Sequence, residues 1–371
     1  MLGQRNMEIN LKKYQISVVV ATLILLLIGL FMVRESSLIW ANYLYGDENY
    51  YFKRQLIYAI VGILVFYISA KIKLSFIEKY IKLFLLISIL LLILVLIPGI
   101  GITKNGSTSW LGFSLISFQP SEFFKLSLIL YFSYYLKKYY YKTEKIRTLI
   151  PLLIVTLVGF VLIMLQPDFG TCMVLAISIF IVLYASRLNN KWFIFFILLG
   201  IGAIVVLIML ESYRFKRITS FLDPFEDPLG SGFQIIQSLY ALGPGGLVGN
   251  LSSIQKYYYL PEPQTDFIFA IFVEEFGLLG GIFIISLYGV IFYSSYKIIK
   301  SSANLFKSFF SLGLLSLFMI QTIINLGVVI GLFPVTGITL PLISYGGSSL
   351  IVVLFSLGLI INCNYEKNII S

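Results

Sequence analysis

The chain is divided into apolar runs of roughly 17 to 25 residues, each long enough to cross about 30 Å of hydrocarbon as a helix. Ten can be placed, at about 16–33, 55–70, 80–98, 119–136, 148–166, 170–186, 192–210, 266–294, 308–332 and 345–363. In lipid every backbone polar group has to be satisfied internally, so runs of this length predict helices. The expected fold class is all-α: a polytopic membrane protein with about ten transmembrane helices. With 59% apolar residues and a mean hydropathy of +0.95, no hydrophilic stretch is long enough to fold separately. One membrane domain over 1–371 is expected. The first run follows Lys12-Lys13 like the opening of a signal peptide, but it is long and no A-x-A site follows, which predicts a retained span.

The net charge of +10 is read as topology, not as nucleic-acid binding. With the N-terminus inside, 18 of the 27 Lys and Arg residues fall in inside segments and eight in outside ones, with Lys125 within a span. Four of the eight lie in the long 211–265 segment, which the positive-inside rule weights lightly. Both termini are therefore expected to be cytoplasmic, with a large extracellular loop at about 211–265 between spans seven and eight. There is no histidine, which removes Ser-His-Asp catalysis and His-ligated zinc. Cys172 and Cys363 both fall in apolar segments and read as small core residues.

This orientation gathers the unusual residues at the outer end. Asp266 sits where the loop YLPEPQTD meets an apolar run: a helix N-cap, or a carboxylate with a task. Glu274 and Glu275 lie about 12 Å deeper along the same helix, where cations of other helices could pair with them. Glu122 and Lys125 in QPSEFFK are three apart and share a helix face, so they either neutralise each other or position a polar substrate. Asp168 in QPDFG is a turn former or a site acid. Arg214, Lys216 and Arg217 open the long loop, as anchors near headgroups or as a phosphate grip. An amphipathic stretch, Gly232–Leu242, follows in what reads as a structured lid on the outer surface.

These motifs, QPSEFFK, QPDFGT, ITSFLDPFEDPLGSGFQIIQSLYALGPGG, YLPEPQTDFIFAIFVEEFG and FPVTGITLPLISYGGSS, resemble the SEDS family (shape, elongation, division and sporulation) across nearly the whole chain. FLDPFEDPLGSG and TGITLPLISYGG are more similar to its FtsW/SpoVE branch than to RodA, and LPEPQTDFIFAI is most similar to SpoVE-type proteins of Gram-positive spore formers. Two places depart from the family pattern. Gly249-Asn250-Leu251-Ser252-Ser253 is poorer in glycine than usual, and Arg34-Glu35 stands where small uncharged residues are common.

The resemblance implies a bacterial cell-membrane glycosyltransferase that polymerises lipid II, the undecaprenyl-pyrophosphate-linked disaccharide peptide, at the outer membrane face for division or sporulation. It implies a class B penicillin-binding protein as partner and Asp266 as the catalytic carboxylate. Glu122, Lys125 and Asp168 fall on the family's motif positions. Asp266 could take the proton of the attacking hydroxyl. Lys125, the basic residues near 214–217 or a divalent cation (Mg²⁺ or Mn²⁺) could stabilise the leaving pyrophosphate; no organic cofactor is expected. Two other readings stay open: a flippase for the lipid-linked precursor, and a scaffold for the penicillin-binding protein.

Overall fold

The computed structural model describes residues 2–104, 106–113, 116–209, 212–250 and 260–363; within these the side chains of 2–10, 104, 113, 116 and 212–214 are not described. The helices are α1 (Leu2–Tyr45), α2 (Tyr50–Lys71), α3 (Leu74–Lys79), α4 (Ile81–Leu94), α5 (Pro120–Lys138), α6 (Ile146–Met164), α7 (Phe169–Tyr184), α8 (Asn190–Met209), α9 (Ser212–Leu222), α10 (Phe233–Gly245), α11 (Ile268–Lys300), α12 (Leu305–Val329) and α13 (Gly347–Asn362). Six of them, among the described residues, are long and apolar enough to cross a membrane, and α4, α7 and α13 are shorter apolar helices. The tenth expected span is α5, whose composition is diluted by Glu122, Lys125, Lys137 and Lys138. Each of the ten apolar runs thus forms a helix.

Helix starts follow local chemistry. Pro120 occupies the first turn of α5, where its missing N–H costs nothing. The Asp168 carboxylate accepts from Thr171 N at 3.0 Å and caps α7. Asn304 accepts from Phe306 N at 2.9 Å and caps α12. Inside the bundle, hydroxyls are satisfied by their own helix: Ser133 donates to Ile129 O at 2.7 Å and Ser178 to Val174 O at 2.7 Å. The last helix packs along α2, and Asn362 Nδ2 donates to Ser69 O at 2.8 Å and Ile72 O at 2.6 Å.

Two features depart from the sequence reading. The segment 99–118 carries a small antiparallel sheet, ordered β1 (Ile102–Lys104), β2 (Ser107–Phe113), β3 (Ile116–Phe118). Ser107 Oγ donates to Gln166 O, and Gln166 Nε2 to Leu92 O at 3.3 Å, which seats the sheet on the ends of α4 and α6. In addition, α1 does not stop near Val33 but continues to Tyr45. The Arg34–Glu35 departure is an exposed ion pair of 2.9 Å on this extension.

The 211–265 segment holds α9 and α10, with Pro244 in the last turn of α10; residues 251–259, and with them Leu251-Ser252-Ser253, lie outside the described residues. Its Gly-rich end locks into a break in α11. Gly277 adopts φ 68°, ψ −173°, a region open essentially only to glycine. Beyond it, Leu278 N donates to Gly246 O at 2.9 Å and Leu279 N to Leu247 O at 3.2 Å, while Asn250 N donates to Glu274 O at 2.8 Å. Glu274 and Glu275 are both buried beside this break. A Cβ on Gly277 would stand 2.4 Å from Leu247 O. Gly277→Ala is expected to cost at least about 1–3 kcal/mol, read as a lower melting temperature in detergent; an unchanged melt would show that the break is not required.

Candidate active site

The motifs around Gln119, Asp168, Asp266 and residues 333–341 meet in space. There the segment between α12 and α13, residues 330–346, threads past the start of α11. Asp266 does not cap that helix: Phe267 holds the cap position and makes no side-chain cap bond. Instead the backbone around Asp266 is clamped from other elements. Asn325 Nδ2 donates to Asp266 O at 2.8 Å and to Ile338 O at 2.7 Å. Ser344 Oγ donates to Thr265 O at 2.6 Å and accepts from Leu340 N at 2.8 Å. Tyr345 N donates to Gln264 O at 2.8 Å. Gln55, from α2, ties the far end through Ser344 O at 3.1 Å and Gly346 N at 3.2 Å. Below, Phe267 through Phe272 are buried and anchor the start of α11.

The Asp266 carboxyl itself is half-buried. Burial, with the nearby Glu262 charge adding to it and Arg217 opposing it, pushes the carboxyl up to about 7. Gly337, at φ 73°, leaves space over the carboxylate: a Cβ there would still be 3.9 Å from Oδ2. Arg217 is held beside the same segment by a 2.8 Å bond from Nη1 to Val335 O.

The same segment reaches a second polar group. A Cβ on Gly170 would lie 2.8 Å from Thr336 O, so the start of α7 touches it directly. Gln321 Nε2 donates to Thr339 O at 3.2 Å, and Lys125 Nζ lies 3.5 Å from Gln321 Oε1. Lys125 and Glu122 form a buried ion pair of 2.8 Å. Gln119 Nε2 donates to Asp168 Oδ2 at 3.2 Å, and Thr171 Oγ1 donates to the same oxygen at 2.7 Å. Burial raises the Asp168 carboxyl, against the Thr171 bonds and the Lys125 charge that hold it down.

The segment therefore joins Asp266, Arg217, Asp168, Glu122 and Lys125 in one continuous arrangement. Lys216 is exposed, and its charge acts on Asp227. The Arg214 side chain lies outside the described residues. Sequence reasoning passed over Glu262, Asn325, Gln321 and Gln55, and had Ser344 only as part of the FPVTGITLPLISYGGSS motif. The signal available was Gln321 and Asn325, two amides four apart on one face of a mainly apolar helix.

The family model of the cell cycle proteins FtsW, RodA and SpoVE matches residues 16–369. The chain is 45% identical to stage V sporulation protein E of Bacillus subtilis over 347 residues, covering 93% of this chain and 95% of that one. It is 39% identical to the probable peptidoglycan glycosyltransferase FtsW of Pasteurella multocida, covering 93% and 89%. Among solved structures it is similar to a chain described under "Structural coordination of polymerization and crosslinking by a peptidoglycan synthase complex", with TM-score 0.76, 29% identity, and 94% and 97% of the two chains covered. It is similar as well to the rod shape determining protein RodA of Thermus thermophilus, with TM-score 0.68, 25% identity, and 94% and 96% covered. On the extent of these matches, the chain is a membrane protein of the FtsW/RodA/SpoVE family.

Proposed function

We propose that the chain is a peptidoglycan glycosyltransferase that polymerises lipid II at the outer face of the bacterial cell membrane. The observation that carries this reading is Asp266: a half-buried carboxylate raised to about 7, in a backbone stretch clamped by two other elements. A carboxylate so tuned is suited to take a proton from a sugar hydroxyl near neutral pH. The excess of Lys and Arg in the loops without these motifs assigns the motif loops to the exterior. Arg217, beside Asp266, is placed to meet the departing pyrophosphate with charge. The Glu122–Lys125 pair and Asp168 form the wall that holds the 336–339 stretch and the polar headgroup against it. A single displacement inverts the anomeric centre and needs one base.

Among the described residues, no three His, Cys, Asp or Glu side chains cluster as a resident metal cage. The Glu262 charge reaches Asp266 and raises it. Glu262 would offer an oxygen to a divalent cation held mainly by substrate phosphates, the usual setting for Mg²⁺, leaving Asp266 free as the base; the ion would supply charge to the leaving group.

A class B penicillin-binding protein is the proposed partner, consistent with the likeness to a chain of a peptidoglycan synthase complex. The likeness to a stage V sporulation protein favours a role in sporulation or division walls. A flippase or a scaffold accounts less well for the site, because neither gives a task to the polar groups that meet around Asp266. The test is to supply fluorescent lipid II and a divalent cation to the chain, purified with its penicillin-binding partner whose transpeptidase site is blocked. Glycan ladders on a gel are expected. Absence of ladders together with lipid II transport in sealed vesicles would replace the polymerase by a transporter.

The pH profile gives a finer check. Polymerisation is expected to rise with pH through about 7 as the Asp266 carboxyl loses its proton. Arg217→Met removes a charge that favours the carboxylate, so the rise should move to higher pH. Glu262→Gln removes the opposing charge and should move it lower. Shifts in the same direction for both would separate the rise from Asp266.

A further inference from the structure

We propose that the start of α13, Gly346-Gly347-Ser348-Ser349, is a pyrophosphate subsite for the acceptor, the lipid-linked sugar whose hydroxyl attacks. The proposal rests on the glycosyltransferase reading above and adds a second anion site to it. In each coupling the acceptor oxygen bonds to the donor's anomeric carbon and its proton passes to Asp266. The bond from that carbon to the donor's pyrophosphate breaks, and the lipid pyrophosphate leaves as an anion. The acceptor's own pyrophosphate stays attached. When two molecules of lipid II couple, the protein therefore has two pyrophosphates to hold, and Arg217 meets only the departing one.

The start of α13 has the chemistry for the other. Its cap residue, Gly346, has no side chain with which to cap the helix. Gly346 N donates to Gln55 Oε1 at 3.2 Å, and Leu350 N donates to Gly346 O at 2.9 Å. Between them the N–H groups of Gly347, Ser348 and Ser349 have no partner among the described residues. Such groups, with about half a positive charge from the macrodipole, form an anion site. A second observation points to a ligand. Ser348 is 6% exposed, and its Oγ has no hydrogen-bond partner. Side chains on a helix lean toward its N-terminus, so this hydroxyl is directed at the uncapped end. Buried hydroxyls are ordinarily paired, as Ser356 of the same helix is by donating to Val352 O at 2.7 Å.

The Tyr58 ring walls one side: a Cβ on Gly347 would stand 2.4 Å from it. Over Gly346 there is space, since a Cβ there would meet nothing closer than Ser349 Cβ at 3.7 Å. Arg54, four residues before Tyr58 on the same face of α2, hydrogen-bonds the Tyr345 hydroxyl and brings a cation to the residue before the cap. Ser344 and Tyr345 are also the residues bonded to Thr265 O and Gln264 O. Along this segment Arg217 holds Val335, the Asp266 stretch is tied in the middle, and the subsite lies at the far end. In a lipid-linked disaccharide the attacking hydroxyl and the pyrophosphate are on different sugars. The acceptor's anion therefore has to be held away from Asp266.

The test is calorimetric titration of the full-length Arg217→Met chain in detergent with farnesyl pyrophosphate, which isolates this site and needs no turnover. Binding is expected. Ser349→Asp sets a carboxylate over the open N–H groups, a change that suits a helix start. The melting temperature should hold or rise while binding weakens by about tenfold or more. Ser349→Asn brings no charge and is expected to bind within a few-fold of the parent. Inorganic pyrophosphate is expected to displace the ligand, and phosphatidylglycerol at the same concentration is not. In the chain with Arg217 restored, Ser349→Asp is expected to raise KM for lipid II more than it lowers kcat. Displacement by phosphatidylglycerol would make this a general lipid headgroup site and overturn the proposal. So would no binding by the Arg217→Met parent, or equal binding by Ser349→Asp. Ladders from the unaltered chain alongside any of these results leave the polymerase standing and strike the subsite alone.

Discussion

Replacing Asp266 with Asn is expected to slow lipid II polymerisation by about 10²–10⁴-fold, the usual contribution of a positioned general base. Asparagine matches the carboxylate in size and still fits the space left by Gly337. The clamp on this residue runs to its backbone carbonyl, from Asn325, and not to its side chain. The fold should therefore survive, with a melting temperature close to that of the unaltered chain. What is lost is the capacity to accept a proton near pH 7. The measurement is ladder formation over time at matched protein concentration. Equal rates would remove Asp266 as the base and turn attention to Glu262, the carboxylate whose charge it feels.

Lys125→Met is expected to destabilise the chain by about 3–5 kcal/mol, because it leaves a buried charge without its partner. Both members of the pair are almost fully buried, with side-chain exposures of 5% and 7%. The double change Glu122→Gln with Lys125→Met removes both charges and should recover much of that loss. Melting in detergent reads the difference, and activity reads what stability does not. If the pair also shapes the headgroup pocket, the double variant will be folded but slow, since the Gln321 link to Thr339 loses its second support. A single variant as stable as the double would mean that Glu122 reaches water without Lys125.

The spans could be read from the chain because lipid leaves an apolar run of that length little else to form. The Glu122–Lys125 pair was legible for a local reason, a spacing that fixes two side chains on one face. Asp168 was legible as a turn acid and does cap its helix, but its bond with Gln119 joins residues 49 apart. The clamp around Asp266 had no local signature: Asn325 and Ser344 reach it across 59 and 79 residues. The break at Gly277 was hidden because an isolated glycine inside an apolar helix is ordinary, and only the docked 246–250 stretch makes a kink necessary. The sheet went unseen because two of its strands have three residues each.

The Gln55 side chain bonds a residue 289 positions further along, and Gln15 reaches Ile361 across 346. Synthesis proceeds from the N-terminus, and domains fold as their parts emerge. A nascent chain that has delivered α1 through α11 to the bilayer already owns Asp266, yet lacks Asn325, Gly337 and Ser344. The arrangement around Asp266 is thus completed only when the stretch around residue 346 leaves the ribosome. Chains released early carry Asp266 without the clamp that fixes its backbone.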